Sequence, residues 1–568
     1  MAQSDISRAS LLGLPSELRN QIYQDYFTVD GGYVYDGDTD KLVQPGGKPI
    51  DISLRSTCRS IALETQDFPF SLNTIKFSTV YRRDWQKQAV YLELVVMDYS
   101  HLQLAILQHL RHQITPDMYH NSGIDLGKHM AAVKAEVEKL ISLEARYPSV
   151  PYTFGNWRGR GKSDFLRATR GCDSNSHLLD RAISQVLRAF AERYPEEFIA
   201  AVDQGKPGWS TSHSALDFFD LTFLPWAIPS LAEATALAEE WNLVQEEDDQ
   251  IPKWYKKTWL DTTYRGPIFR YRRRRYFSAS SVAIRFLNQI TKRQRLCIHH
   301  LIINENRLSG PRPECHPLGL IPFYRENPKL YIDHRVNLWR SFIMRTQANS
   351  PEVTSVALHL EGVWEPDEED EDHYMGPHQV FMSSVIQGFV DWLLVHTMEI
   401  LDEGMSLASY SLTLDGDPDL NYSTEMFNTI MKPTIAGLTM NSDIVARGIF
   451  TAPDHPDYPF MTRRSMTEIT PVDRRSSVLQ CNFTLDQPWN YKTIIEEEMI
   501  EPRQLKPYTA LNPERYDSVW FKICTEFVHI LDITLEYFDR EKVADCTDEM
   551  MSKYGDQSGN KFIDNVEL

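Results

Sequence analysis

The second half of the chain constrains the fold most. Three strand-like runs, RLCIHHLIINE, SVALHLEGV and SYSLTLDGDP, are centred near residues 299, 358 and 412. Each is short, apolar and rich in strand-forming residues, and turn formers close it. Helical patterns stand before or between them, in SASSVAIRFLNQI, in RVNLWRSFIM and over residues 379–401. Strands alternating with helices predict an α/β lobe over residues 261–540 whose sheet is largely parallel and covered by helices. DSVWFKICTEFVHILDITLEYF, residues 517–538, reads as a C-terminal helix packed on that lobe, and residues 541–568 as a polar tail.

Residues 81–260 read as mostly helical. AVYLELVVMDY, residues 89–99, looks like a strand, whereas HLQLAILQHLRHQI and DLGKHMAAVKAEVEKLISLEARY look like helices. Further helical patterns occupy 175–203 and PSLAEATALAEEWNLVQEEDD, with PSVPYTFGNWRGRGKSD as a loop. At 568 residues the chain exceeds the size at which a single core stops growing. A hydrophobic share of 42% supplies sizeable cores. The apolar stretch 379–401 carries Asp391, His396 and Glu399, so it reads as a buried helix and not a membrane span. The seven cysteines are scattered with no CxxC pair, and MAQSDISRAS has neither a basic end nor an apolar stretch. A reducing compartment, cytoplasm or nucleus, is the expectation.

The front of the chain is of another kind. In LLGLPSELRNQIYQDYF, Pro15 suits a first helical turn and Glu17 suits the positive end of the helix dipole. Leu18, Ile22 and Tyr26 recur every four residues, joined by Tyr23 and Phe27, to give an apolar stripe. DGGYVYDGDTDKLVQPGGKP then reads as a loop with one short strand. DISLRSTCRSIALETQDF reads as a second helix with Leu54, Cys58, Ile61 and Ala62 on one side, and SLNTIKFSTV as extended. Two helices this short bury too little to stand alone, so their apolar face needs a cover.

LPSELRNQIYQDYF resembles the first helix of an F-box, whose pattern is Leu-Pro-x-Glu-Leu/Ile followed by Ile and an aromatic at helical spacing. LRSTCRSI resembles the later Leu-x-x-x-Cys-Arg segment, and ETQDFPFSLNTIKF the extension common in F-box-like proteins of filamentous ascomycetes. The later block from SASSVAIRFLNQI to HRVNLWRSF, with LTLDGDP, is similar to uncharacterised members of the same group. The resemblance implies a small F-box-like helical module over residues 11–77, ahead of the helical middle region and the α/β lobe. The fold class is therefore α+β and mostly helical. It also implies docking onto the small adaptor subunit of cullin–RING ubiquitin ligases, with Leu14, Pro15, Leu18 and Ile22 touching the adaptor and Leu54 and Cys58 behind them. The function implied is that of a non-catalytic protein–protein interaction adaptor, a receptor for a protein substrate. The alternative is an F-box-like scaffold that never meets a ligase.

Other motifs weigh less. GRGKS at 159–163 has Asn156 where a phosphate loop places its leading glycine, and no apolar strand precedes it. DGDTDK begins like a calcium loop, but Lys41 and Gly47 occupy positions that need glycine and a carboxylate. Cys297, His299, His300, Cys315 and His316 have zinc chemistry, yet their spacing departs from compact zinc modules. Glu305, Glu361, Asp415 and Asp417 stand at strand ends, where an open parallel sheet gathers ligands, so an enzyme using Glu361 and Asp415 is the remaining alternative. No catalytic residue, metal or cofactor is expected. Residues 262–304 hold ten Lys or Arg and no acid in a chain of formal charge −20. That balance favours pairing with the chain's own acids or with an acidic partner over a nuclear import signal, and disfavours nucleic acid.

Overall fold

The computed structural model describes residues 11–119, 177–243, 254–255, 267–344, 396–432, 478–484, 520–522 and 525–545, with shorter pieces between 130 and 142 and between 379 and 389. The described strands are β1 (Tyr33–Asp36), β2 (Lys41–Val43), β3 (Ile75–Ser78), β4 (Trp254–Tyr255), β5 (Pro267–Arg273) and β6 (His300–Glu305). They continue with β7 (Tyr331–Asn337), β8 (Gln379–Phe381), β9 (Tyr410–Asp415), β10 (Leu479–Cys481), β11 (Trp520–Lys522) and β12 (Phe538–Asp545).

A seven-stranded sheet in the order β10-β9-β7-β6-β3-β1-β2 organises the chain. Every neighbouring pair is parallel except the β1–β2 hairpin at the edge. The mixed, mostly parallel sheet among many helices matches the α+β expectation. Three of its strands come from residues 33–78, and β3 pairs directly with β6 through Phe77 opposite Ile303. The parallel strands succeed one another across the sheet in chain order, without reversal. Right-handed crossovers that all advance one way carry their connections over the same face.

The two faces differ accordingly. Phe77, Ile303, His334 and Leu412 lie in register across one face, and all four are buried. That face meets the helix Ala279–Gln289, whose Phe286 ring lies 5.5 Å from Phe77. On the opposite face the rows run Lys76, Ile302, Asp333, Ser411 and Ser78, Asn304, Arg335, Thr413. Here polar groups bond one another: Thr413 Oγ1 donates to Asp333 (3.0 Å) and Arg335 pairs with Asp333 (2.6 Å). Parallel sheets usually bury apolar side chains on both faces. This one is apolar on one face only.

Several elements differ from expectation. The run 89–99 is not a strand but the middle of a helix, Gln86–Leu110, with fifteen buried residues. A helix buried on most sides shows no polar stripe, so its unbroken apolar run imitates a strand. The stretch Arg83–Leu110 is long and apolar enough to cross a membrane, and 56% of its apolar window is buried inside the protein. RVNLWRSFIM, expected to be helical, is split between the end of β7 and a π-helical turn, Leu338–Ile343. Residues 517–538 are not one helix: β11, a six-residue helix Ile530–Leu535 and the start of β12 share them. The expected loop after residue 30 holds a hairpin of two strands, β1 and β2. In 379–401, β8 takes the first three residues and the helix His396–Asp402 begins near the end. The run SVALHLEGV, Glu361 and the GRGKS stretch lie outside the described residues.

Candidate functional site

The opening helix runs Ser16–Phe27 with Pro15 at its N-cap in extended geometry and Glu17 in the first turn. Its apolar residues divide between two edges. Tyr23 and Phe27, four apart, are buried and form a small cluster with Ile61, distinct from the main core. Leu11, Leu54, Cys58, Phe68 and Leu72 pack around that cluster. The other edge faces outward: Leu18 is 54% exposed, Ile22 40% and Tyr26 36%. Ile52, 50% exposed, adjoins Ser53, whose hydroxyl bonds that of Tyr26 at 3.0 Å.

Polar bonds fix how the helix sits. Arg19 binds Glu64 through two nitrogens (3.0 and 2.7 Å) and donates to the Leu14 carbonyl (2.6 Å). The Tyr23 hydroxyl donates to the same carboxylate at 2.9 Å. Arg19, and after it Tyr23, hold the Glu64 carboxyl below the usual carboxylate range. At the far end, Asn73 donates to the Phe27 carbonyl (2.8 Å) and accepts from Val29 N–H (2.8 Å). This ties the helix exit to the start of β3.

Six residues carried the sequence expectation, four toward a partner and two behind them. Pro15, Leu18 and Ile22 are exposed and Leu14 is half-buried. Leu54 and Cys58 are half-buried and lie underneath, against the satellite cluster. Tyr26 and Ile52 extend the outward edge; the four-residue spacing carries a signal for Tyr26, and nothing local carries one for Ile52.

Two of the strand-end carboxylates, Glu305 and Asp415, bond donors close by. Glu305 is buried and accepts from Ala279 N–H (3.0 Å), Ser280 N–H (3.1 Å) and Ser280 Oγ (3.0 Å) at the start of the helix Ala279–Gln289. Burial pushes its carboxyl up to about 7 against those donors. Ser278 caps the same helix and bonds His316 Nδ1 at 2.6 Å. The carbonyl of Pro311 accepts from His316 Nε2 (2.9 Å). Asp415 accepts from Asn482 Nδ2 (2.7 Å) and Asp417 N–H (3.2 Å) in the turn after β9. Since β7 lies between β6 and β9, Glu305 and Asp415 end strands that are not neighbours.

The cysteines and histidines have separate partners. Cys297 ends the helix Lys292–Cys297 and bonds the Arg293 carbonyl (3.3 Å), whereas Cys315 bonds that of Arg312 (3.2 Å). His300 Nδ1 bonds Thr74 Oγ1 at 3.1 Å. Among the described residues no group of three or more metal-ligating side chains comes together. In DGDTDK, Asp36 accepts from Asp38 N–H (3.1 Å) and Thr39 Oγ1 (2.6 Å), which is turn chemistry.

The basic segment is largely answered within the chain. Arg275 pairs with Glu93, Arg274 with Asp539 (2.7 Å), Arg285 with Asp40 (2.5 Å) and Arg293 with Asp67 (3.0 Å). Arg295 and Lys292 share Glu326 (2.7 and 3.6 Å). No protein family, curated protein or solved structure matches this chain.

Proposed function

We propose that the protein is a non-catalytic interaction adaptor of the cytoplasm or nucleus, docking through its opening helix onto the small adaptor subunit of a cullin–RING ubiquitin ligase and presenting a protein substrate from its body. The supporting observation is the outward edge of Leu18, Ile22 and Tyr26, which stays exposed while Tyr23 and Phe27 already satisfy the satellite cluster. An apolar helix face at i, i+4 and i+8 is suited to a groove on another protein. Leu14 and Pro15 continue that edge at the helix start, and Leu54 and Cys58 support it from below. Co-purification of the adaptor with the wild-type chain, lost on Leu18→Asp with Ile22→Asp, is the test.

A second reading is an F-box-like scaffold that engages no ligase. The pairing of β3 with β6 favours it, because it makes the opening region part of the main sheet instead of a separate knob. Absence of adaptor binding from the wild type would favour this reading.

A further inference from the structure

At the carboxyl ends of the central strands, guanidiniums outnumber the carboxylates that neutralise them. Arg307 follows β6 and Arg340 follows β7, and both bind one carboxylate, Glu536, at 2.8 and 3.1 Å. Arg275 pairs with Glu93 of the long helix. Arg273, two residues earlier, makes no side-chain hydrogen bond or ion pair among the described residues. The charge of neighbouring Arg275, followed by burial, holds the Arg273 guanidinium down to about 10.

Tyr537 joins the two groups. Its hydroxyl accepts from Leu308 N–H at 2.8 Å and donates to the Arg340 carbonyl. Arg307 adjoins Leu308 in the chain, Arg273 stands opposite Phe538, the residue after Tyr537, in the β5–β12 register, and the Tyr537 backbone carbonyl accepts from Arg274 N–H at 2.7 Å. Among the described residues, two carboxylates thus face four guanidiniums, a surplus of two positive charges in a chain of net −20. The Arg307, Arg340 and Glu536 side chains are 25%, 27% and 31% exposed, which leaves water and a small ligand a way in.

We propose that the Arg307–Glu536–Arg340 triad and Arg273, gathered round Tyr537, bind a phosphate monoester. A monoester carries about −1.5 to −2 at pH 7, which matches the surplus, whereas a carboxylate or a phosphodiester would neutralise half of it. Guanidinium forks fit phosphate oxygens in pairs, and parallel sheets collect ligands at the carboxyl ends of their strands. The proposal is independent of the docking face on the opening helix.

Calorimetric titration of the full chain with O-phosphoserine at fixed ionic strength tests it, with dimethyl phosphate as the diester arm. Saturable phosphoserine binding, at least ten-fold tighter than dimethyl phosphate, is expected. Arg307→Gln with Arg273→Gln should weaken it by about ten- to a hundred-fold, the loss of one or two charge-assisted hydrogen bonds. Glu536→Gln removes a neutralising charge, so it should tighten binding several-fold; a purely structural role for the triad gives no such gain. The proposal is overturned by no phosphoserine binding, by equal binding of dimethyl phosphate, by unchanged binding in the arginine double variant, or by weaker binding in Glu536→Gln. Should the double variant fail to fold, the sign of the Glu536→Gln effect decides alone.

Discussion

Leu18 and Ile22 give a perturbation whose size follows from their exposure. Full burial of such a side chain is worth about 1.5–3 kcal/mol. With 54% and 40% of their surfaces still exposed, a partner covering both would gain about 0.8–1.6 and 0.6–1.2 kcal/mol respectively, together about 1.4–2.8 kcal/mol. At about 1.4 kcal/mol per decade, trimming both to alanine should weaken adaptor binding by roughly ten- to a hundred-fold. Aspartate at both positions adds the cost of burying unpaired carboxylates, several kcal/mol each, and should abolish it. Because the two side chains face outward, either variant should change folding stability by no more than about 0.5 kcal/mol per site. Biolayer interferometry with purified adaptor, beside a thermal melt of each variant, separates the effects. Unchanged affinity in the aspartate double variant refutes the docking face. A melting temperature lowered by many degrees refutes the claim that this edge is free.

Three further outcomes are expected. Phe27→Ala, in the satellite cluster, should cost about 3–5 kcal/mol in chemical denaturation because the void has few neighbours able to fill it. Glu305 has its folded pKa raised to about 7 from an ordinary value of 4.5, so its contribution to stability is fully present below about 4.5 and lost as the pH rises through 7. Glu305→Gln should remove that slope, and parallel slopes in wild type and variant would contradict the buried placement. Asp40→Asn weakens the pairing with Arg285 that ties the β1–β2 hairpin to the helix Ala279–Gln289. Faster amide exchange in residues 33–43 should result, with a loss of about 1–3 kcal/mol.

Local patterns were readable wherever they were repeated or capped. The helix Ala279–Gln289 shows its period and its Ser278 cap, and β3, β6 and β9 stand out as short apolar runs between turn formers. Only the first half of the long helix Gln86–Leu110, residues 89–99, reads as a strand, because burial on most sides erases the polar stripe by which helices are recognised, whereas HLQLAILQHL reads correctly as helical. The β1–β2 hairpin was partly hidden because its glycines and aspartates signal turns more strongly than its few apolar residues signal strands. Nothing local could place Phe77 beside Ile303, since strand order is settled by the whole sheet. The same holds for charge: the surplus of residues 262–304 was plain, but its answer in Glu93, Asp40 and Asp67 comes from far away in the chain. For the docking face, the four-residue spacing gave Leu18, Ile22 and Tyr26, but it could not divide the stripe into an outward edge and an inward one held by Tyr23 and Phe27.

Hydrogen–deuterium exchange of the full chain, with and without saturating adaptor, tests the docking face most directly. Slowed exchange is expected in residues 16–27 and around Ile52, with the β6 and β7 segments unchanged. No protection in residues 16–27 at saturating adaptor, or protection confined to other parts of the chain, would contradict it.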